Sequence, residues 1–257
     1  MKSLSIIIPV YNEAKRVKKT LLALDKFQPP KGVEIKKIRF VNDGSTDNTL
    51  SILTAWQKKA KIKPLVEIVS YEQNRGRGFA VRLALGGINT DYAMYLDGDM
   101  SIPLENLSEF SKYMQKDFDL IFGSKKKPGA KATPSRNLTR VVVGYIHSAL
   151  ASLLLLTPAW DFQGGFKMFS RRFIEQVIPL TNIDRWGFDM ETIYLARKLD
   201  LKTTEIPVVW NCIENGTKVK LAKDIKQALV DMFQIKLASN YQIGSKPLLN
   251  VNYKIIS

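Results

Sequence analysis

Short apolar runs alternate with amphipathic stretches through the first hundred residues. Residues 4–10, 34–41, 65–71 and 92–96 are rich in Val, Ile, Phe and Tyr and bounded by turn-forming residues, which predicts four buried strands. Between them, apolar positions recur every three or four residues. A helix over 13–26 turns Val17, Leu21 and Leu24 inward, one ending near Ala60 buries Leu50, Leu53 and Trp56, and a third runs over 78–86. This rhythm predicts an α/β fold: a mostly parallel sheet with helices on both faces. Such sheets bind ligands beyond the carboxyl ends of their strands.

The second half is less regular. Residues 123–135 are rich in Gly, Pro, Lys and Ser and are expected to form a loop. The apolar run 141–156 contains Gly144, His147, Ser148 and Ser152, and it is shorter than the roughly 20 residues that span a bilayer. It is expected to be a buried or interface-lying helix. Over 221–236, Leu221, Ile225, Leu229, Met232 and Phe233 share one face with lysines opposite. Core packing and a basic helix resting on a membrane both fit that pattern. No repeat or linker divides the chain, so 1–240 is expected to be one domain and 241–257 a tail.

Composition narrows the classes. Of 257 residues, 45% are hydrophobic and 25% charged, as in ordinary globular proteins. The single cysteine, Cys212, excludes an internal disulfide, and the single histidine, His147, excludes a two-histidine metal site. Both are expected to be structural. A net charge of +15 favours anionic partners, namely phosphorylated substrates or anionic lipid. Basic stretches without interleaved aromatics, and without a nucleic-acid-binding signature, argue against nucleic acid. Met1-Lys2-Ser3 runs directly into the first strand, so a leader is not expected and the location is expected to be cytoplasmic.

The candidate chemistry begins where the fourth strand ends. Asp97-Gly98-Asp99 places two carboxylates two residues apart, an arrangement that calls for a cation. Mg²⁺ or Mn²⁺ uses one or two carboxylates and fills its remaining positions with phosphate oxygens and water. The second strand ends in another acidic turn, Asn42-Asp43-Gly44-Ser45-Thr46-Asp47, and both turns are expected to face one cleft.

Taken in order, Ile8-Pro9-Val10-Tyr11-Asn12-Glu13, the turn from Val41 to Asp47, and Asp97-Gly98-Asp99 resemble the signatures of family 2 glycosyltransferases with the GT-A fold. Asn74-Arg75-Gly76-Arg77-Gly78, Ala80-Val81-Arg82, the Gly-Phe-Lys core within 161–169, and residues 185–189, 205–210 and 215–219 are most similar to dolichyl-phosphate glucosyltransferases. Dolichyl-phosphate mannosyltransferases are close relatives of these. Two departures stand out: Asn42 replaces an acidic residue, and Arg77 replaces a lysine while keeping a phosphate-binding cation.

The resemblance implies an inverting hexosyltransferase that uses UDP-glucose or GDP-mannose, a divalent cation and a polyprenyl phosphate acceptor. Pro9, Tyr11, Glu13, Asp43, Arg77, Asp97, Gly98 and Asp99 would hold the nucleotide sugar, with Asp43 accepting a hydrogen bond from the base. Asp97 and Asp99 would bind the metal, with Ser101 near it. Asp161 and Asp189 would orient acceptor or sugar. Arg136, Arg185 and Lys218 would meet the acceptor phosphate, whereas Arg140 reads as a surface charge and Trp186 and Trp210 as core. Attachment to the cytoplasmic face of an anionic membrane would be peripheral, direct or through a membrane-protein partner or second copy. Two other classes fit less of the sequence: the same donor chemistry with a saccharide acceptor, where Asp189 becomes a base, and a basic membrane- or nucleic-acid-binding module without catalysis.

Overall fold

The computed structural model describes residues 1–60, 65–133, 138–211, 221–237 and 252–256. Its centre is an eight-stranded sheet. The strands are β1 (Lys2–Val10), β2 (Val33–Asp43), β3 (Val66–Tyr71), β4 (Tyr92–Leu96), β5 (Leu120–Ser124), β7 (Phe166–Ser170), β8 (Thr203–Pro207) and β10 (Lys254–Ile256), in the order β10-β3-β2-β1-β4-β7-β5-β8. The first four are parallel, as the alternating pattern predicts. β7 inserts antiparallel between β4 and β5. β10, from within the stretch expected as a tail, pairs antiparallel with β3 at the edge. A small second sheet joins β6 (Lys131–Thr133), inside the expected loop, to β9 (Val209–Asn211).

Helices cover both faces, and the strands show why. Successive side chains of a strand point to opposite faces. In β1, Leu4, Ile6, Ile8 and Val10 pack with α1 (Val17–Lys26), α2 (Thr49–Gln57) and α4 (Leu107–Met114). Ile7 packs on the other face with α3 (Arg77–Leu85) and α7 (Phe188–Lys198). β4 does the same, Met94 on one side and Tyr95 on the other. A strand buried on both faces must be apolar throughout, which is how β4 reads.

Two helices differ. α5 (Leu138–Leu155) and α8 (Leu221–Leu237) pack against each other and press Ala151, Leu155, Met232 and Ile235 into the core. Their outer faces leave Val142, Ile146, Leu153, Val230, Phe233 and Leu237 exposed. Among the described residues, no helix is long and apolar enough to cross a membrane. A short helix, α6 (Arg171–Gln176), follows β7 and is capped by the Ser170 hydroxyl, which accepts from the Phe173 N–H.

Candidate active site

A cleft of about 370 Å³ opens at the carboxyl ends of β1, β2 and β4. Pro9, Tyr11, Glu13, Asp43, Arg77, Asp97, Gly98, Asp99 and Arg185 all line it, so nine of the expected site residues meet in one place. Val10, Arg16, Asn74, Gly76 and Trp186 complete the wall.

The segment after β1 is laced to the turn after β2. The Asn12 N–H donates to Ser45 Oγ at 2.9 Å, Asn12 Oδ1 accepts from the Thr46 N–H at 2.8 Å, and the Glu13 N–H donates to Thr49 Oγ1 at 2.8 Å. Asn12 takes a left-handed backbone, φ 51°, to allow this. These bonds hold Glu13 out of the helix, so α1 begins at Val17 rather than at 13.

Asn42 and Asp43 have structural duties. Asn42 is buried and donates from Nδ2 to Ser70 Oγ at 2.9 Å, which an ionised carboxylate could not do. Asp43 is expected to accept a hydrogen bond from a base. Its carboxylate, on the cleft wall, accepts from the Arg75 N–H (2.7 Å), the Gly76 N–H (2.9 Å) and Asn74 Nδ2 (2.8 Å). Burial pushes its pKa up, opposed by the Arg75 N–H, the Tyr71 hydroxyl and the Gly76 N–H. Its observed role is to fix the glycine-rich loop that opens α3.

Asp97 and Asp99 converge through a tight turn rather than an extended strand: the Met100 N–H donates to the Asp97 carbonyl at 3.0 Å. The Asp97 N–H reaches the Gly165 carbonyl at 3.1 Å, and a Cβ at position 165 would stand 2.1 Å from Asp97 Oδ2. Close approach therefore explains the second glycine before Phe166. Each carboxylate has an arginine. Arg77 Nη1 lies 3.0 Å from Asp97 Oδ1, and Arg16 Nη1 lies 3.4 Å from Asp99 Oδ2. Arg16 also grips Glu13 at 2.6 and 2.7 Å. Ser101 is buried outside the cleft wall and contributes its N–H to Asp99 Oδ1 at 3.0 Å.

Behind Arg77 lies a buried polar network. Asp189 is fully buried and pairs with Arg77, with the Tyr95 hydroxyl, and with Lys167 Nζ at 2.7 Å. Lys167, also fully buried, donates to the Gly164 carbonyl at 2.7 Å. Burial pushes the Asp189 carboxyl up to about 7 against the opposing charge of Arg77. Burial and Arg77 hold the Lys167 ammonium well below its ordinary range. Among the described residues, Asp189 thus meets the cleft through Arg77.

Asp161 is buried away from the cleft wall. It accepts from the Lys125 N–H at 3.1 Å and lies 3.3 Å from Lys126 Nζ. Burial would raise its pKa, but Lys126 and the Lys125 N–H lead a set of contacts that brings it below the ordinary value. Arg136, Lys218 and Cys212 lie outside the described residues, as does the side chain of Arg140.

Trp186, expected in the core, is 48% exposed, and its ring lies 4.3 Å from the Arg77 guanidinium carbon. The sequence reading also missed Arg16, Tyr95 and Lys167. Arg16 carries a local signal, an arginine three residues after an acid. Lys167 stands inside the Gly-Phe-Lys motif, but its partner Asp189 is 22 residues away.

The donor set suits a cation that brings its own phosphate. Among the described residues, no three His, Cys, Asp or Glu side chains form a metal cage. Asp97 and Asp99 both face the cleft, leaving coordination positions for phosphate oxygens.

Residues 5–178 match the family described as glycosyl transferase family 2. The chain is 28% identical over 237 residues to a dolichyl-phosphate beta-glucosyltransferase of Dictyostelium discoideum, covering 86% of this chain and 72% of the relative. It is 29% identical over 255 residues to the enzyme of that name from Saccharomyces cerevisiae, covering 94% and 75%. Its fold is similar to glucosyl-3-phosphoglycerate synthase from Mycobacterium tuberculosis in complex with Mn²⁺, UDP and glucosyl-3-phosphoglycerate, with a TM-score of 0.64, 16% identity, and coverage of 91% of this chain and 80% of the other. With two acidic turns meeting at the strand ends of this sheet, the chain belongs to glycosyl transferase family 2 and has the GT-A fold.

Proposed function

We propose that this protein transfers glucose, with inversion, from UDP-glucose to dolichyl or another polyprenyl phosphate at a membrane surface, with Mg²⁺ or Mn²⁺. The observation that carries the reading is the pairing of Asp97 and Asp99 with Arg77 and Arg16 in one cleft. The relatives named dolichyl-phosphate beta-glucosyltransferase support this acceptor and sugar. The structure with Mn²⁺ and UDP supports a metal and a uridine donor.

Asp97 and Asp99 would hold the cation, which when bound supplies Lewis-acid stabilisation to the departing nucleoside diphosphate. Arg77 and Arg16 neutralise these carboxylates here and stand beside the space a diphosphate would fill. A guanidinium suits phosphate oxygens because its donors form a planar fork. Trp186 stacks on Arg77 and limits where that fork can turn. Asp189, held by Lys167 and Tyr95, anchors Arg77 from behind.

A phosphate monoester has a second pKa of about 6, so it arrives as a nucleophile already deprotonated. A base is not required. The burial of Asp189 behind Arg77 fits this acceptor better than a saccharide hydroxyl, for which Asp189 as the expected base would have to face the cleft. Arg185 lies on the cleft wall as a cation for the incoming phosphate, with Arg136 and Lys218 as further candidates from the sequence. The exposed apolar faces of α5 and α8, on a chain of net charge +15, would rest on the cytoplasmic face of an anionic membrane where the acceptor resides.

The donor is tested by offering radiolabelled UDP-glucose and GDP-mannose separately, with Mn²⁺ and dolichyl phosphate. Label is expected in the lipid from UDP-glucose. Labelling from GDP-mannose alone would overturn the sugar assignment.

A further inference from the structure

We infer that Asp231, on α8, is a positioning residue for the donor cleft: through Gly187 it holds the Arg185–Trp186 turn against Arg77. The inference rests on the reading of that cleft as the donor site. α8 lies beyond residues 5–178, and nothing in its own pattern marks it as part of the site.

Asp231 is 3% exposed on a helix whose other inward residues are Ala228, Met232 and Ile235. A buried carboxylate among such neighbours is costly unless something engages it. Gln227 Nε2, one turn earlier, donates to Oδ1 at 2.8 Å. Oδ2 is aimed at Gly187, where a Cβ would stand 2.4 Å from Oδ2 and 2.7 Å from the Asp231 Cβ. Gly187 has φ −65° and ψ −16°, ordinary right-handed backbone that any residue adopts. Glycine is therefore needed for space rather than for conformation, and the space is taken by Asp231.

Gly187 immediately precedes α7, whose first N–H groups lack intrahelical acceptors. A carboxylate at that end is favoured by those donors and by the helix dipole. Burial pushes the Asp231 carboxyl up, opposed by Gln227, while Oδ2 has no hydrogen-bond partner among the described residues and is packed against the Gly187 backbone. On its other side the turn is tied to α3: the Phe79 N–H donates to the Asp184 carbonyl at 3.0 Å, and Arg82 pairs with the Asp184 carboxylate. Residues 184–187 are thus clamped between α3 and α8. The two side chains this clamp presents, Arg185 and Trp186, line the cleft. A helix with an apolar outer face thereby also backs the turn that carries Arg185 and Trp186.

The test compares the parent protein with Asp231→Ala, Asp231→Asn, Gly187→Ala and the Gly187→Ala/Asp231→Ala double variant. UDP affinity with Mn²⁺, KM and kcat for UDP-glucose, and thermal melting are measured for each. Asp231→Ala is expected to weaken UDP binding and raise KM about tenfold while kcat stays within about threefold, the pattern of lost binding rather than lost chemistry. Asp231→Asn, which keeps size and hydrogen bonding, should recover most of that loss. Gly187→Ala alone should be worse than the double variant, because removing the carboxylate makes room for the new methyl. The inference is overturned by either of two outcomes: UDP affinity of Asp231→Ala within about twofold of the parent, or Asn no better than Ala with affinity falling only in step with the melting temperature. If the parent itself fails to bind UDP, the donor reading falls instead. Hydrogen exchange of residues 184–188 then tests the clamp alone: faster exchange in Asp231→Ala supports it, and unchanged exchange refutes it.

Discussion

The donor cleft and the outer face of α5 and α8 handle water in opposite ways. In the cleft the central charges are answered within the protein, Asp97 by Arg77 and Asp99 by Arg16, and behind it Asp189 is answered by Arg77 and Lys167. On the two helices, Leu153 is 71% and Leu237 is 74% exposed, with none of the described residues covering them. Covering such a side chain is worth about 1.5–3 kcal/mol, so a face of several left bare fits a surface built for a second medium. One region is organised to receive a charged, water-soluble donor. The other suits an acceptor that never leaves the lipid. Damage to the first should therefore affect donor binding and turnover, and damage to the second only the use of a lipid acceptor.

The largest expected effect tests the cleft. Asp99→Asn should lower glucosyl transfer at least about a hundredfold, in line with the several kcal/mol a metal ion supplies, while circular dichroism remains unchanged. Near-normal transfer in this variant in the presence of EDTA would remove Asp97 and Asp99 from the metal site.

The network behind the cleft comes next. Lys167→Met leaves the Asp189 carboxyl buried without its ammonium partner, which for a buried pair costs about 3–5 kcal/mol. An Asp whose folded pKa is raised binds more protons folded than unfolded, so its contribution to stability falls as pH rises from 3.8 towards about 7. The melting-temperature loss of Lys167→Met should therefore be greater at high pH than at low pH, and a pH-independent loss would contradict the assignment.

A smaller and more selective effect is expected on the helices. Leu153→Glu with Phe233→Glu should reduce vesicle sedimentation and transfer to dolichyl phosphate about tenfold, because charge opposes insertion at the interface. UDP affinity should not change. Equal loss of both would mean that the two regions are not separable.

The smallest effect concerns His147 on α5, whose pKa burial and the Lys126 ammonium depress to about 4. Between that value and 6.5 the unfolded chain binds more protons, so stability rises with pH over this window and is lost as pH falls through it. His147→Leu should flatten the slope of melting temperature from pH 4 to 6.5. An unchanged slope would place the acid sensitivity elsewhere.

The same contrast separates what could be read from sequence and what could not. β1 to β4 and the two acidic turns were legible because short continuous apolar runs and strand-end carboxylates are local patterns. The insertion of β7 between β4 and β5 was not, since alternation marks a strand but not its neighbours. Arg16 and Asp99 are 83 residues apart, and no spacing rule joins them. Asp43 was recognised as important, yet its hydrogen bonds to the loop over 74–76 follow from the parallel pairing of β2 with β3. Trp186 reads as core because large aromatics usually are, whereas the clamp on its turn and the Arg77 guanidinium hold it at the cleft. The 141–156 run was legible as a helix too short to span a bilayer, through its length and interrupting polar residues.

The most direct test of the central claim supplies radiolabelled UDP-glucose and Mn²⁺ to the purified protein on anionic vesicles, with and without dolichyl phosphate. The account predicts label in the lipid fraction only when dolichyl phosphate is present, and none when EDTA is added. Label that stays in the aqueous phase, transferred to a soluble saccharide with the lipid acceptor unused, would contradict it.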